Sequence, residues 1–170
     1  RPPAPDIPGG YRILPPSQTL AKLNRDLAEQ QGGKVRFATA CYGIVNCLTR
    51  ELTLARAGHP FPLLLRADGS QERIEPEGGF LGVFPEEEFD EATLELHEHD
   101  RLLVFSDGFE TAFPEPDASN RKNSGKTGKL VTERYLQEFA RCGHGDVAEA
   151  FAQLEQRIHD EAGSLDQKDK

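Results

Sequence analysis

The fold is decided in a stretch that reads AGHPFPLLLRADG, residues 57–69. Three consecutive leucines, Leu63 to Leu65, are typical of a buried strand, which we predict over residues 62–66. Asp68-Gly69 follows, and this dipeptide favours a type I′ turn into a second strand over residues 72–75. The stretch therefore predicts a β-hairpin.

The residues before this hairpin also predict strands. Residues 35–45 are rich in β-formers, and a turn near residues 49–50 separates them from residues 52–57. In the second of these segments, Leu52 and Leu54 alternate with a threonine, which is the pattern of a half-buried strand. We expect these strands and the hairpin to form a meander of antiparallel strands.

Strand patterns continue after the hairpin. Residues 89–96 place Leu94 and Leu96 on one face, and the apolar run in residues 101–105 predicts a buried strand that ends at residues 106–108. Residues 86–100, which include the first of these segments, hold eight acidic residues and no Lys or Arg. This acidic segment is either a solvated edge strand, whose charge opposes aggregation, or an interaction surface.

A helix is predicted before the strands. Ser17 is a suitable N-cap, and Leu20, Leu23 and Leu27 share one helical face. Gly32-Gly33 should end this helix.

Two helices are predicted after the strands. The segments are residues 130–141, with Val131, Tyr135 and Phe139 on one face, and residues 147–162, with Asp146 as N-cap and Val147, Phe151, Leu154 and Ile158 on one face. A helix, a run of strands and two further helices indicate the α+β class, with helices layered on antiparallel sheet.

The domain organisation follows from composition. The Pro- and Gly-rich residues 1–16 predict an extended connector, and residues 17–170 predict one domain with a mobile loop at about residues 113–128. The chain contains no Met. We therefore expect the natural protein to start upstream of residue 1.

Composition also excludes several functions. The net charge of −9 and the acidic segment disfavour nucleic-acid binding, and no apolar run approaches the length of a membrane span, about 18 residues. The basic residues between 121 and 134 favour either a solvated loop or the steering of a phosphorylated or acidic partner. Three irregularly spaced Cys residues predict neither a disulfide framework nor a zinc site and suggest a reducing cytoplasm.

Asp107 is the candidate functional residue that the sequence picks out. It follows an apolar strand directly, at the point where a core strand emerges. One interpretation is a turn in which Asp107 binds backbone amides and Gly108 adopts an unusual φ. The other is a metal ligand. The local sequence leaves both open.

Several stretches resemble the bacterial SpoIIE/RsbU branch of the metal-dependent PPM Ser/Thr protein phosphatases. They are FATACYG at residues 37–43, AGHPFPLLLRADG at residues 57–69 and DRLLVFSDG at residues 100–108, with Leu23-Asn24 and Leu81-Gly82 in support. Their order and spacing match the family, and the likeness covers roughly residues 17–165.

The resemblance implies a sandwich of two antiparallel sheets flanked by helices, with two Mn²⁺ or Mg²⁺ ions at one edge. Asp107 occupies the position of a metal-ligating aspartate, Gly108 keeps space clear beside the ion, and Ser106 replaces the usual threonine. Two further acidic elements of the family are not visible, one expected before residue 1 and one where the chain stops. Asp169 lies at the approach to the second and is a weaker ligand candidate.

The resemblance also implies a function. It implies a phosphoserine or phosphothreonine phosphatase of bacterial signalling that acts on a phosphorylated protein, such as an anti-sigma-factor antagonist. A sensor or receiver domain commonly precedes such phosphatases, and a homodimer is compatible with them. Because one visible carboxylate cannot hold two ions, we expect these 170 residues alone to be inactive. The alternative is a non-catalytic, phosphatase-like binding or regulatory module.

Other metal-like or phosphate-like patterns have simpler interpretations. Residues 143–145, Gly-His-Gly, should form a turn between helices, and residues 124–127 lack the first glycine of a phosphate-binding loop. His97 and His99 should be solvated, and His59 should brace a turn between strands.

Overall fold

The computed structural model describes residues 13–30, 36–113 and 134–166. These form two compact units. The first contains Arg1–Pro62 and Arg73–His97, and the second contains Leu63–Glu72 and Glu98–Lys170. The predicted loop at residues 113–128 lies outside the described residues except for Phe113, which is buried. Most of the predicted connector, residues 1–12, also lies outside them.

Helix α1 of the first unit spans Pro16–Glu29. Ser17 was predicted as its N-cap, and this prediction is wrong because Pro15 holds the cap position and Pro16 starts the helix. Proline suits a first helical turn, where its missing N–H leaves no hydrogen bond unmade. The Ser17 amide and hydroxyl instead donate to Glu91 Oε1, each at 2.8 Å.

The buried face of α1 differs from the predicted one. Leu20 is buried and Leu27 is partly buried, but Leu23 is 48% exposed. Asn24, one turn after Leu20, takes the buried position. Its Nδ2 donates to Phe84 O at 2.7 Å and its Oδ1 accepts from Gly82 N at 2.7 Å. A buried amide is tolerated there because its polar atoms find backbone partners.

The first unit contains a three-stranded antiparallel sheet in the order β1-β2-β5, made of β1 (Ala40–Asn46), β2 (Glu51–Ala57) and β5 (Glu91–Glu95). Strand β1 starts later than predicted, since the residues before Ala40 make only an isolated bridge between Ala38 and Leu81. The predicted turn after β1 is confirmed, with Arg50 at φ 58°. Strand β5 is an edge strand, as predicted for the acidic segment.

The second unit contains another three-stranded sheet, in the order β4-β3-β6. Its strands are β3 (Leu63–Leu65), β4 (Gln71–Arg73) and β6 (Arg101–Leu103), and β3 pairs antiparallel with β6. The single meander that the sequence suggested is therefore wrong, because the hairpin β3–β4 pairs with β6 rather than with β2. Periodicity identifies strands but does not choose their partners.

The hairpin between β3 and β4 is confirmed, but its turn is not type I′. Gly69 N donates to Arg66 O at 3.0 Å and Arg66 N donates to Ser70 O at 2.9 Å, which leaves a three-residue loop. Only Gly69 in this loop has a positive φ, 89°. A type I′ turn requires two such residues, so the loop is the three-residue kind that ends in a glycine bulge.

The helices of the second unit are α2 (Gly108–Ala112), α3 (Arg134–Arg141) and α4 (Val147–Asp166). The predicted N-cap of α4 is confirmed, since Asp146 Oδ1 accepts from the amides of residues 148 and 149. Tyr135 and Phe139 are buried as predicted. The core also contains Leu63, Leu65, Phe105, Phe113, Cys142, Ala150 and Leu154.

Two apolar predictions in this unit are wrong. Val147 and Phe151 are exposed, and Ala150 and Leu154 supply the buried face of α4 instead. Leu102 and Val104 of the predicted buried strand are also exposed. Strand β6 is an edge strand. These four exposed side chains line one apolar groove of about 270 Å³.

Candidate active site

Strand β6 leads directly to the candidate site. After the strand, Phe105 turns into the core and is 8% exposed, and its ring centroid lies 4.8 Å from that of Phe139 and 5.6 Å from that of Tyr135. Phe109, on the other side of the site residues, lies 5.1 Å from Phe139. Two anchored phenylalanines therefore fix the backbone on either side of residues 106–108, and such aromatic clusters are stabilising beyond their buried area.

Asp107 lies between these anchors at the start of α2. Its backbone is helical, with φ −60° and ψ −12°, and its side chain makes no capping hydrogen bond. The residue is exposed. The turn interpretation, in which the carboxylate binds backbone amides, therefore does not describe this aspartate. The carboxylate is presented at the surface on a fixed backbone.

Gly108 does not have the unusual backbone that the turn interpretation required. It is not among the positive-φ glycines of the described residues. A Cβ built on it would meet only Ser106 Oγ, at 3.4 Å, which is ordinary van der Waals contact. Neither its backbone nor its contacts with the described residues require glycine at this position, and the missing side chain leaves room beside Asp107.

Further metal ligands do not join Asp107 within the described part of the chain. No three His, Cys, Asp or Glu side chains come together there in a metal-binding group. Asp169, the weaker ligand candidate, lies outside the described residues.

The turn roles predicted for two histidine segments agree with the structure. In the first unit, His59 Nδ1 lies 3.3 Å from Thr39 Oγ1, and its carbonyl accepts from Arg56 at 2.8 Å. In the second unit, residues 143–145 connect α3 to α4. The carbonyls of Cys142, His144 and Gly145 accept hydrogen bonds from Arg101. This segment therefore fastens the interhelical turn to β6.

The remaining histidine and phosphate-like patterns add nothing to the site. His97 and His99 are exposed, as predicted, and residues 124–127 lie outside the described residues.

The three cysteines are free thiols, at Cys41, Cys47 and Cys142. Burial raises the pKa of Cys41 and of Cys142, so both are less reactive as nucleophiles than a free thiol.

A sequence model of the family described as Stage II sporulation protein E (SpoIIE) matches residues 10–169. This chain belongs to the SpoIIE family. The DRLLVFSDG stretch with Asp107, and the hairpin that carries AGHPFPLLLRADG, both lie inside the matched range.

Three curated relatives agree with this membership. The chain is 32% identical to phosphoserine phosphatase RsbU of Bacillus subtilis over 94 residues and 29% identical to phosphoserine phosphatase RsbP of the same organism over 98. It is 24% identical to protein IcfG of Synechocystis over 101 residues. These alignments cover 55%, 56% and 59% of the chain but only 28%, 24% and 16% of the relatives, so the SpoIIE-type chain spans a small part of each.

Two solved structures share the fold. One contains the RsbU and RsbW domains of a Mycobacterium tuberculosis protein, with a TM-score of 0.60 and 23% identity over 92% of this chain and 39% of that one. The other is the phosphatase domain of SpoIIE from Bacillus subtilis, Mn presoaked, with a TM-score of 0.53 and 13% identity over 92% and 72%. The predicted α+β phosphatase fold is confirmed.

One residue with a structural role in this family fold was missed by the sequence analysis. Asn24 was noted only as part of the resemblance, yet its side chain ties α1 to the loop around Gly82 and Phe84. The available signal was a polar residue one turn after Leu20, on a face that is otherwise apolar.

Among the described residues, no helix is both long and apolar enough to cross a membrane.

Proposed function

We propose that this chain is the larger part of a phosphatase domain that removes phosphate from phosphoserine or phosphothreonine in a protein, with Mn²⁺ or Mg²⁺ as cofactor. The observation that carries the proposal is the state of Asp107. By the resemblance it occupies the family's ligand position, and in the structure it is exposed and makes no capping hydrogen bond at the start of α2. An exposed carboxylate that caps no helix among the described residues, on a backbone held by Phe105 and Phe109, is suited to binding a cation.

The residues present fit part of a metal site. Asp107 supplies an oxygen ligand of the kind that Mg²⁺ and Mn²⁺ prefer, and Gly108 leaves space beside it. Bound ions would offset the charge of the phosphoryl group and lower the pKa of the attacking water. In this proposal, Phe105 and Phe109 hold the backbone of Asp107, and Asp169 is a second, weaker candidate ligand. The remaining ligands would come from elsewhere in the natural protein.

The proposed substrate is a phosphorylated anti-sigma-factor antagonist, and the proposed location is the bacterial cytoplasm. Support for a phosphoprotein substrate comes from the relatives RsbU and RsbP, which are named phosphoserine phosphatases. An N-terminal sensor or receiver domain is part of the proposal, because the relatives are several times longer than the part that this chain matches. Three free cysteines are compatible with a reducing compartment.

The test is Mn²⁺-dependent phosphate release from a phosphoserine protein by the natural protein that contains this chain. We expect Asp107→Ala to abolish the release, and Asp169→Ala to reduce it if that residue is a ligand. Asp68→Ala is the matched control, because it removes another exposed aspartate that precedes a glycine. Undiminished activity of Asp107→Ala would overturn the site assignment.

Two further outcomes show whether the 170 residues are sufficient for activity and whether the natural protein is an enzyme. The 170 residues alone should release no phosphate, and measurable release would show that all necessary ligands lie within them. If the natural protein itself binds a phosphoprotein but releases no phosphate, the alternative of a non-catalytic binding module replaces the enzyme.

A further inference from the structure

The first unit has an apolar patch that is exposed among the residues that the structure describes. The patch consists of five side chains, Leu23, Phe37, Phe80, Val83 and Phe84, each between 37% and 65% exposed. Three of the ten phenylalanines of the chain lie in it. Contiguous exposed apolar patches on soluble domains mark interaction sites, whereas single exposed residues do not.

The three segments that carry the patch residues are fastened to one another. The rings of Phe37 and Phe80 meet edge to face with centroids 5.5 Å apart. Paired backbone hydrogen bonds at 3.1 and 3.0 Å join Ala38 to Leu81. Asn24, next to Leu23, binds the backbone of residues 82, 84 and 85. The aromatic side chains of the patch therefore project from segments that are hydrogen-bonded to one another.

The patch is also braced from below by close packing. A Cβ at Gly58 would lie 2.5 Å from the Phe80 ring, so this ring rests directly on the backbone of the strand end. Glu87 Oε1 accepts from Gly79 N at 2.9 Å and closes the loop that carries Phe80 and Phe84. Pre-organisation of this kind lowers the entropic cost of binding a partner.

The charge around the patch selects the kind of partner. Residues 77–91 carry six acidic side chains and no Lys or Arg, and Glu86 and Glu88, directly after Phe84, are exposed. On the helix margin, residues 22–29 carry two bases and two acids, and Lys22 pairs with Asp26 at 2.8 Å. Arg36 is one further base. The surroundings are therefore acidic overall.

We propose that this patch is a docking surface for a segment of another protein that is apolar on one face and rich in Lys or Arg beside it. An amphipathic helix has this chemistry, since its apolar residues cover a patch while its basic residues reach the acidic margin. A second copy of this chain would bring two acidic margins together, and an anionic lipid surface would be repelled. The proposal concerns the first unit alone and does not depend on the phosphatase activity.

The test uses synthetic helical peptides and the whole chain. The probe is an 18-residue peptide with Leu on one helical face and Lys elsewhere, labelled for fluorescence anisotropy. Two matched peptides separate the contributions: one has Glu in place of Lys, and the other has Ser in place of Leu. We expect the Leu–Lys peptide to bind at least tenfold more tightly than either control.

The location of binding is tested by paired substitutions. Phe84→Ser and the double change Glu86→Lys with Glu88→Lys should each weaken binding at least fivefold. The controls are Leu48→Ser and Glu51→Lys, which alter exposed residues at the turn end of the β1–β2 hairpin, about 20 Å along the strands from the patch end. These controls should bind as the parent does, and thermal unfolding confirms that each variant is folded.

Three outcomes overturn the proposal. One is equal binding of the Leu–Lys peptide by the Phe84→Ser and Leu48→Ser variants, because binding would then be non-specific. Another is absence of binding by the parent chain. The third is self-association of the parent chain that Phe84→Ser abolishes in sedimentation, because a second copy would then occupy the patch.

Discussion

Two Asp-Gly dipeptides follow strands of the second unit: Asp68-Gly69 follows β3, and Asp107-Gly108 follows β6. At the first, the Asp68 carboxylate accepts from Ser70 N at 2.8 Å and from Ser70 Oγ at 2.6 Å, and Gly69 has φ 89°. At the second, Asp107 makes no capping hydrogen bond, and Gly108 has no positive φ. The dipeptide is the same, and Phe109 N donates to Ser106 O across the second one, but only the first turn is closed by its aspartate side chain and needs glycine at a positive φ.

The difference separates structural from functional use of one sequence pattern. Asp68 and Gly69 are accounted for by the loop that they form, since each supplies something that the loop requires. At the second dipeptide, by contrast, the Asp107 side chain makes no hydrogen bond that caps α2, and Gly108 has no backbone angle that favours glycine. A residue that the fold does not require is a better candidate for chemistry than one that it does.

The largest expected effect comes from removing only the charge of each aspartate. Asp107→Asn in the natural protein should lower Mn²⁺-dependent phosphate release by more than about 100-fold, because loss of a metal ligand exceeds the 10- to 100-fold effect of outer-shell changes. Asp68→Asn should leave the rate unchanged. Steady-state phosphate release at several Mn²⁺ concentrations is the measurement. An equal loss of phosphate-release rate in both variants would contradict the different roles assigned to Asp107 and Asp68.

Substitutions of the two glycines should differ in their effect on the stability of the fold. Gly69→Ala forces a Cβ into a left-handed backbone and should lower the free energy of unfolding by about 1 to 2 kcal/mol. Gly108→Ala meets only ordinary contact and should change this free energy by less than about 0.5 kcal/mol. Urea denaturation of the whole chain measures both.

The phosphatase activity of the Gly108→Ala variant tests whether the space beside Asp107 has a function. If Gly108 leaves space for an ion, Gly108→Ala should lose phosphatase activity in the natural protein while it keeps its stability. A variant that keeps both activity and stability would show that the space beside Asp107 has no function.

The smallest expected effect is a pH dependence of the first turn. Hydrogen bonds from the Ser70 hydroxyl and amide hold the pKa of Asp68 below its ordinary value of 3.8. A lowered folded-state pKa stabilises the fold above the ordinary value, and this stabilisation is lost as the pH falls through the lowered one. The thermal midpoint of Asp68→Ala should therefore lie slightly below that of the parent at pH 7, and the gap should narrow in acid. A gap that widens in acid would contradict the assignment.

The sequence alone distinguishes the roles of the two Asp-Gly dipeptides only in part. Ser70, two residues after Asp68, is a local signal for a turn closed by an aspartate side chain, and no such residue follows Asp107. The type I′ turn was nevertheless predicted because the dipeptide alone favours it. The actual turn depends on which residues of β3 and β4 pair, and this register is set by packing across the sheet.

The same limit explains the misplaced buried faces. Leu23 was expected in the core and Asn24 was not, yet only Asn24 can satisfy the backbone of the loop around residues 82–85. In α4, Ala150 is buried in place of Val147 and Phe151. A helical period marks several overlapping faces, and the contacts with other segments decide which of them is buried.

The sequence by itself determined the kinds of element, their order and the family, because these depend on local periodicity, on turn residues and on short stretches of matching residues. It also placed Asp107 directly after a strand. Only the tertiary structure decided which strands pair within each of the two sheets, that Asn24 is a core residue, and that the Asp107 side chain makes no hydrogen bond that caps α2. Each of these depends on atoms supplied by residues far apart in the chain, and local sequence carries little information about them.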